Sequence, residues 1–132
     1  MEQTQKRYIV YVQGCTQDGK IKDALVGSYN IISGAGIKGL ISIHPVTNKE
    51  SLDSLLDGSP ASFRAAVDQH RFEGIGMFSE WESESSINDF QRGVLHNILV
   101  DYVKSQTGDT LFRVIQLRGD QIKTREIRGT LI

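Results

Sequence analysis

Between Ser86 and Gly108 a single apolar stripe dominates the chain. Ile87, Phe90, Val94, Leu95, Ile98, Leu99, Tyr102 and Val103 recur at steps of three and four residues, the spacing that gathers side chains on one face of an α-helix. Ser86, with Asp89 three residues on, reads as the start of this long helix, and Gly108 as its end. So broad a stripe must be buried against a partner, and the flanking sequence supplies strands. RYIVYVQ, residues 7–13, is a β-branched and aromatic run, which predicts a strand. Asp18-Gly19 has the composition of a two-residue turn, and Ile21, Asp23 and Leu25 then alternate with Lys22, Ala24 and Val26, which predicts an N-terminal hairpin. SGAG at 33–36 punctuates, and IKGLISIHP predicts a third strand ended by Pro45. Two shorter helices follow, one capped by Asn48 and stopped at Gly58, the other with Pro60 at its first helical position behind Ser59. The tail, TLFRVIQLRGDQIKTREIRGTLI, predicts a second hairpin closed by Gly119-Asp120. The expected architecture is α+β over a single domain, residues 1–132: an antiparallel sheet with N- and C-terminal hairpins packed against one long and two shorter helices.

Charge and cysteine content narrow the function classes. With a formal net charge of -1, the chain lacks the cationic excess that general binding to DNA requires. Its one cysteine, Cys15, has no partner for an internal disulfide, as expected of a reducing, cytoplasmic location. MEQTQKRY carries no signal-peptide core, and no apolar run approaches a membrane span.

No catalytic signature stands out. His44, His70 and His96 have no metal-ligand spacing, and Cys15 has no evident base beside it. SGAGIKG lacks the Gly-Lys-Ser/Thr ending of a phosphate-binding loop, and EGIGM opens no apolar helix. The strand-turn-strand opening suits ribonuclease H-like enzymes, but Gln13 stands where a metal-binding acid would be needed. Neither a catalytic residue, a metal ligand nor a cofactor is expected. Glu80, Glu82, Glu84 and Asp89 read as a solvated segment that complements a helix N-terminus.

Two groups point toward a ligand. Arg113, Arg118, Arg125 and Arg128 crowd the last twenty residues beside Lys123, and guanidinium groups suit phosphate oxygens. Pairing with the acids near residue 80 is the other role open to them. In GMFSEWESESSINDF, Phe78 and Trp81 are either core residues closing a strand or a shelf on which a purine stacks. Asn88, ten residues beyond Phe78, is an amide able to read a base edge.

With Phe78 and Asn88 at that spacing, and Asp120 followed by Arg125 five residues later, most of the chain resembles the first-described family of phage Thoeris anti-defence proteins. These are small cytoplasmic sponges, working in the infected bacterial cell, that sequester cyclic ADP-ribose-type immune signals. The resemblance implies a viral, homo-oligomeric protein built from dimers that encloses the nucleotide at protomer interfaces without cleaving it, and is not an enzyme. It assigns Phe78 to stacking on adenine, Asn88 to the base edge, Asp120 to a ribose hydroxyl and Arg125 to the pyrophosphate or the second face of the base. Arg113, Arg118 and Trp81 complete the expected ligand-binding set, and cyclic oligonucleotides are a further ligand class in that family. The competing readings are a nucleotide- or phosphodiester-cleaving enzyme and a protein-interaction module with Phe78 and Trp81 as its hot spot.

Overall fold

RYIVYVQG forms the central strand, β1 (Arg7–Gly14), and its β-branched and aromatic composition suits a strand buried on both faces. The computed structural model describes residues 6–14, 19–69, 76–107 and 111–128. After β1 the chain runs through α1 (Gly19–Gly34), β2 (Leu40–Val46), α2 (Lys49–Leu56), α3 (Ala61–Asp68), β3 (Gly76–Trp81), α4 (Glu84–Arg92), α5 (Val94–Thr107), β4 (Leu111–Gly119) and β5 (Gln121–Arg128). The strands form one sheet in the order β2-β3-β1-β4-β5 with every neighbouring pair antiparallel. β1 and β2 thus run in the same direction with β3 inserted between them, and α1 makes the crossover.

Alternation along β1 divides the core into two layers. Val10 and Val12 join Ile21, Leu25, Leu99, Val103, Ile87 and Phe90 on the face covered by α1, α4 and α5. Ile9 and Tyr11 join Leu52, Leu56, Phe63 and Val67 on the face covered by α2 and α3. α1 and α5 meet where Gly27 lies under the Tyr102 ring; a Cβ there would sit 2.0 Å from the phenolic oxygen.

The α+β class, the antiparallel sheet and the C-terminal hairpin are as the sequence predicts. β4 and β5 pair from Leu111↔Arg128 to Arg118↔Gln121, leaving Gly119-Asp120 as a two-residue turn with Gly119 at φ +73°. The N-terminal hairpin is corrected. Its second strand is the start of α1, because Ile21, Ala24, Leu25, Ser28 and Ile32 are buried at helical spacing; over the six residues from Ile21, strand and helix periods are hard to separate. The long helix is corrected too. It breaks at Gly93, which adopts an extended conformation (φ -82°, ψ 165°) between α4 and α5, and its N-cap is Ser83, whose Oγ accepts from the Ser86 N–H. Asn48 caps α2 by accepting from Ser51 N–H at 2.8 Å, and Pro60 stands at the N-cap of α3, one residue earlier than expected. Cys15, His70 and Gly108 lie outside the described residues.

Candidate ligand-binding site

The aromatic segment resolves as strand and core. Phe78 is 1% exposed, packed with Tyr11 at a ring-centroid distance of 6.5 Å among the α2 and α3 side chains. Trp81 is also 1% exposed and faces the opposite layer, where its ring meets Phe90 at 5.2 Å. Its indole N–H donates to Ser79 Oγ, which donates in turn to the Val10 carbonyl. Three residues apart on a strand, the two rings cannot share a face. The stacking shelf expected of Phe78 and Trp81, and the interaction hot spot, are therefore both corrected. Phe78 and Asn88 lie on opposite sides of the sheet, so one protomer cannot grip a base with both.

The arginines separate by role. Arg118 is pinned by α4: Nη1 donates to Asn88 Oδ1 (2.7 Å) and Glu84 Oε1 (3.2 Å), and Nη2 donates to Gln91 Oε1 (3.3 Å). Nε and Nη2 both donate to Gln116 Oε1, at 2.9 and 2.7 Å. Glu84, Asn88 and Gln91 stand at successive turns of one helix face, so a guanidinium only 7% exposed is saturated within the protomer. Arg113 projects toward the α2–α3 face as its parity requires, and its Nε donates to Glu126 on the neighbouring strand at 3.2 Å. Arg125 is exposed on β5, and Asp120 is exposed at the β4–β5 turn. The side chain of Arg128 lies outside the described residues.

A concavity of two adjoining depressions lies at the end of the sheet where β1 begins, β3 ends and β4 turns into β5. One depression, of about 480 Å³, has Lys6, Arg7, Glu80 and Glu82 as its charged walls, with Trp81, Ile41 and Gly58 completing it. A second, of about 290 Å³, shares Lys6, Arg7 and Gly58 and continues to Pro60, Ser62 and Asp120. Arg7 is fixed between them. Its Nε and Nη2 donate to the two Glu80 carboxylate oxygens at 2.9 and 2.7 Å, and Nη1 donates to the Asp57 carbonyl at 3.2 Å. The hydrogen bond to Glu80, aided by its charge, raises the Arg7 pKa above its ordinary value against the opposing effect of burial. Two of the five guanidinium N–H bonds have no partner among the described residues. Lys6 is exposed and unpaired among the described residues. Where the sequence predicts seven ligand-binding residues, the structure brings Asp120 into this groove, leaves the enclosed Trp81 behind its wall and joins Asn88 to Arg118 elsewhere. Lys6, Arg7 and Ser62 were not anticipated; the signal available for them was a cation doublet at the head of the most apolar strand.

A group of three or more His, Cys, Asp or Glu side chains suited to a metal ion does not occur among the described residues, and no described helix is long and apolar enough to cross a membrane. No family model and no curated protein matches the sequence. Similar solved structures include a dimeric ferredoxin-like protein of unknown function from Jannaschia sp. CCS1, with a TM-score of 0.53 at 11% identity over 92% of this chain and 98% of that one. The fold is ferredoxin-like. β5, beyond β4, extends the ferredoxin-like sheet order, and the α2–α3 pair is inserted between β2 and β3. A hypothetical Arabidopsis thaliana protein is also similar, with a TM-score of 0.47 at 14% identity over 100% of this chain and 96% of that one.

Proposed function

We propose that the protein captures a small phosphate-bearing nucleotide of the cyclic ADP-ribose class in the sheet-end groove and holds it without breaking a bond, as an anti-defence sponge would. The observation that carries this reading is the exposed Lys6 ammonium, unpaired among the described residues, beside the anchored Arg7, in walls that also present Asp120 and Ser62. Lys6 and the free N–H bonds of Arg7 supply charge-assisted donors for a diphosphate. Asp120 keeps the role the resemblance gives it, accepting from a ribose hydroxyl. Stacking on Phe78 has no part in the proposal, since that ring is enclosed.

Holding rather than cleaving fits the two described groups whose pKa is displaced. Burial pushes the Tyr11 phenol up, and Glu80 raises Arg7. Both move away from neutral pH, the wrong direction for a general acid or base working there. The reading further includes a cytoplasmic homo-oligomer built from dimers; the dimeric state of the Jannaschia protein supports it.

The test is to incubate the purified protein with cyclic ADP-ribose, remove free ligand and heat-denature the complex. Intact cyclic ADP-ribose in the released fraction, lost in Lys6→Glu, supports capture. Linear ADP-ribose would show an enzyme instead, and a wild-type protein that retains nothing overturns the proposal.

A further inference from the structure

An aliphatic recess adjoins the charged groove. Ile32, Ile37, Leu40, Ile41 and Ile43 line a depression of about 260 Å³ at the junction of α1 and β2, and Ile41 also forms a wall of the 480 Å³ chamber beside Lys6 and Arg7. The register of β2 against β3 shifts between Leu40 and Ser42, and the extra residue is Ile41. A bulge of this kind re-aims a side chain, and here it leaves an isoleucine 60% exposed.

We propose that this recess is the base subsite of the same ligand, with Ile41 as the residue that determines specificity; the assignment rests on the capture reading above. Three observations converge on it. The recess and the charged chamber share a wall, so a ligand whose phosphates meet Lys6 and Arg7 has its uncharged end directed along Ile41. The exposed aliphatic surface is what a planar base can cover and remove from water. β2 is an edge strand, so its outer backbone N–H and C=O groups have no strand partner among the described residues. With the Ser42 hydroxyl and Ser33 Oγ, which itself donates to the Asn30 carbonyl, in the lining, they offer the mixed donors and acceptors that a base edge requires. The occupant is therefore a nucleoside diphosphate-type ligand, its base held by aliphatic side chains and a strand edge rather than by an aromatic shelf.

Binding of two probes, cyclic ADP-ribose and inorganic pyrophosphate, to wild type, Ile41→Ser and Lys6→Glu separates the two proposals. The expected result is that Ile41→Ser weakens cyclic ADP-ribose about tenfold, from the apolar burial lost, and leaves pyrophosphate unchanged, whereas Lys6→Glu weakens both. If Ile41→Ser binds both probes like wild type while Lys6→Glu still loses both, the base subsite is overturned and the capture reading stands. If wild type binds neither probe, both fall. Octyl phosphate binding as tightly as cyclic ADP-ribose would mean that the recess takes an alkyl chain, which also overturns the base assignment. Because Ile41 is exposed, folding of Ile41→Ser is checked by its urea midpoint. Transfer of magnetisation from isoleucine methyls to the base protons of cyclic ADP-ribose, measured on the wild-type protein, tests the contact without any substitution; its absence from a bound complex overturns the assignment.

Discussion

Phe78→Ala separates a core residue from a ligand shelf. With the ring 1% exposed between the sheet and the α2–α3 layer, truncation leaves a cavity and should destabilise by about 3–5 kcal/mol, readable as a fall in the urea midpoint at an unchanged slope. A wild-type midpoint combined with lost nucleotide binding would return Phe78 to the ligand. A second prediction concerns Tyr11, which is buried and donates to Gln13 Oε1 at 2.8 Å. Burial raises its folded pKa above the ordinary value of 10.0. Its contribution to stability is therefore complete below about pH 10 and is lost as pH rises beyond, since the unfolded phenol ionises first, at about 1.4 kcal/mol per pH unit. Urea midpoints at pH 9 and pH 11 should fall more for wild type than for Tyr11→Phe; equal falls would assign the alkaline limb to other groups. At this scale the sequence was only partly legible. Parity along β3 was enough to place Phe78 and Trp81 on opposite faces, but which faces are covered depends on α2 and α3, whose position the local pattern does not encode. Arg113 shows the same division: its parity with Ile115 and Leu117 sets its face, while its partner, Glu126, depends on strand register.

The sheet has two edges, and each carries its own guard. β2 holds Pro45, which lacks an N–H, and a bulge at Ile41, both of which disfavour further pairing. β5 has no described proline or bulge and presents Lys123 and Arg125, exposed on the face shared with Gln116 and Val114. Two β5 strands related by a two-fold axis must pair residues of the same face. A register centred on Thr124 opposes Lys123 to Arg125, and one centred on either cation opposes it to its own copy. Each arrangement sets like charges together, which is destabilising. Lys123→Val combined with Arg125→Val should therefore form assemblies larger than wild type, seen as increased mass by light scattering at matched concentration; identical masses would show that the cations guard nothing. The elements themselves were largely legible, since β1, β2, β4, β5, α2 and α3 each have local turn, cap or period signals, Asn48 among them. α1 was missed because its helical period emerges only over the span from Ile21 to Ile32, longer than the window that read as a strand.

Strand order assembles the groove, and no local pattern announces it. Lys6 and Arg7, Ile41, Gly58 to Ser62, Glu80 to Glu82 and Asp120 are scattered over most of the sequence, and meet because β3 inserts between β1 and β2 while β4 flanks the other side of β1. The net charge of -1 concealed the site as well, because Arg7 is balanced by Glu80 while Lys6 is left as a local cation. Ligand capture there has a consequence for the whole molecule. A ligand that binds only the folded state stabilises it by RT ln(1 + [L]/Kd), about 2.7 kcal/mol at a hundredfold excess over Kd. For a domain of this size that corresponds to a rise in Tm of about 10 °C. Cyclic ADP-ribose should produce this rise in wild type, and the increment should grow with the logarithm of ligand concentration. Lys6 is exposed and has no partner among the described residues, so Lys6→Glu should leave the Tm without ligand within a degree or two while abolishing the increment. A Lys6→Glu protein that keeps the full increment would place the phosphates elsewhere, with the exposed Arg125 on β5 the next cation to substitute.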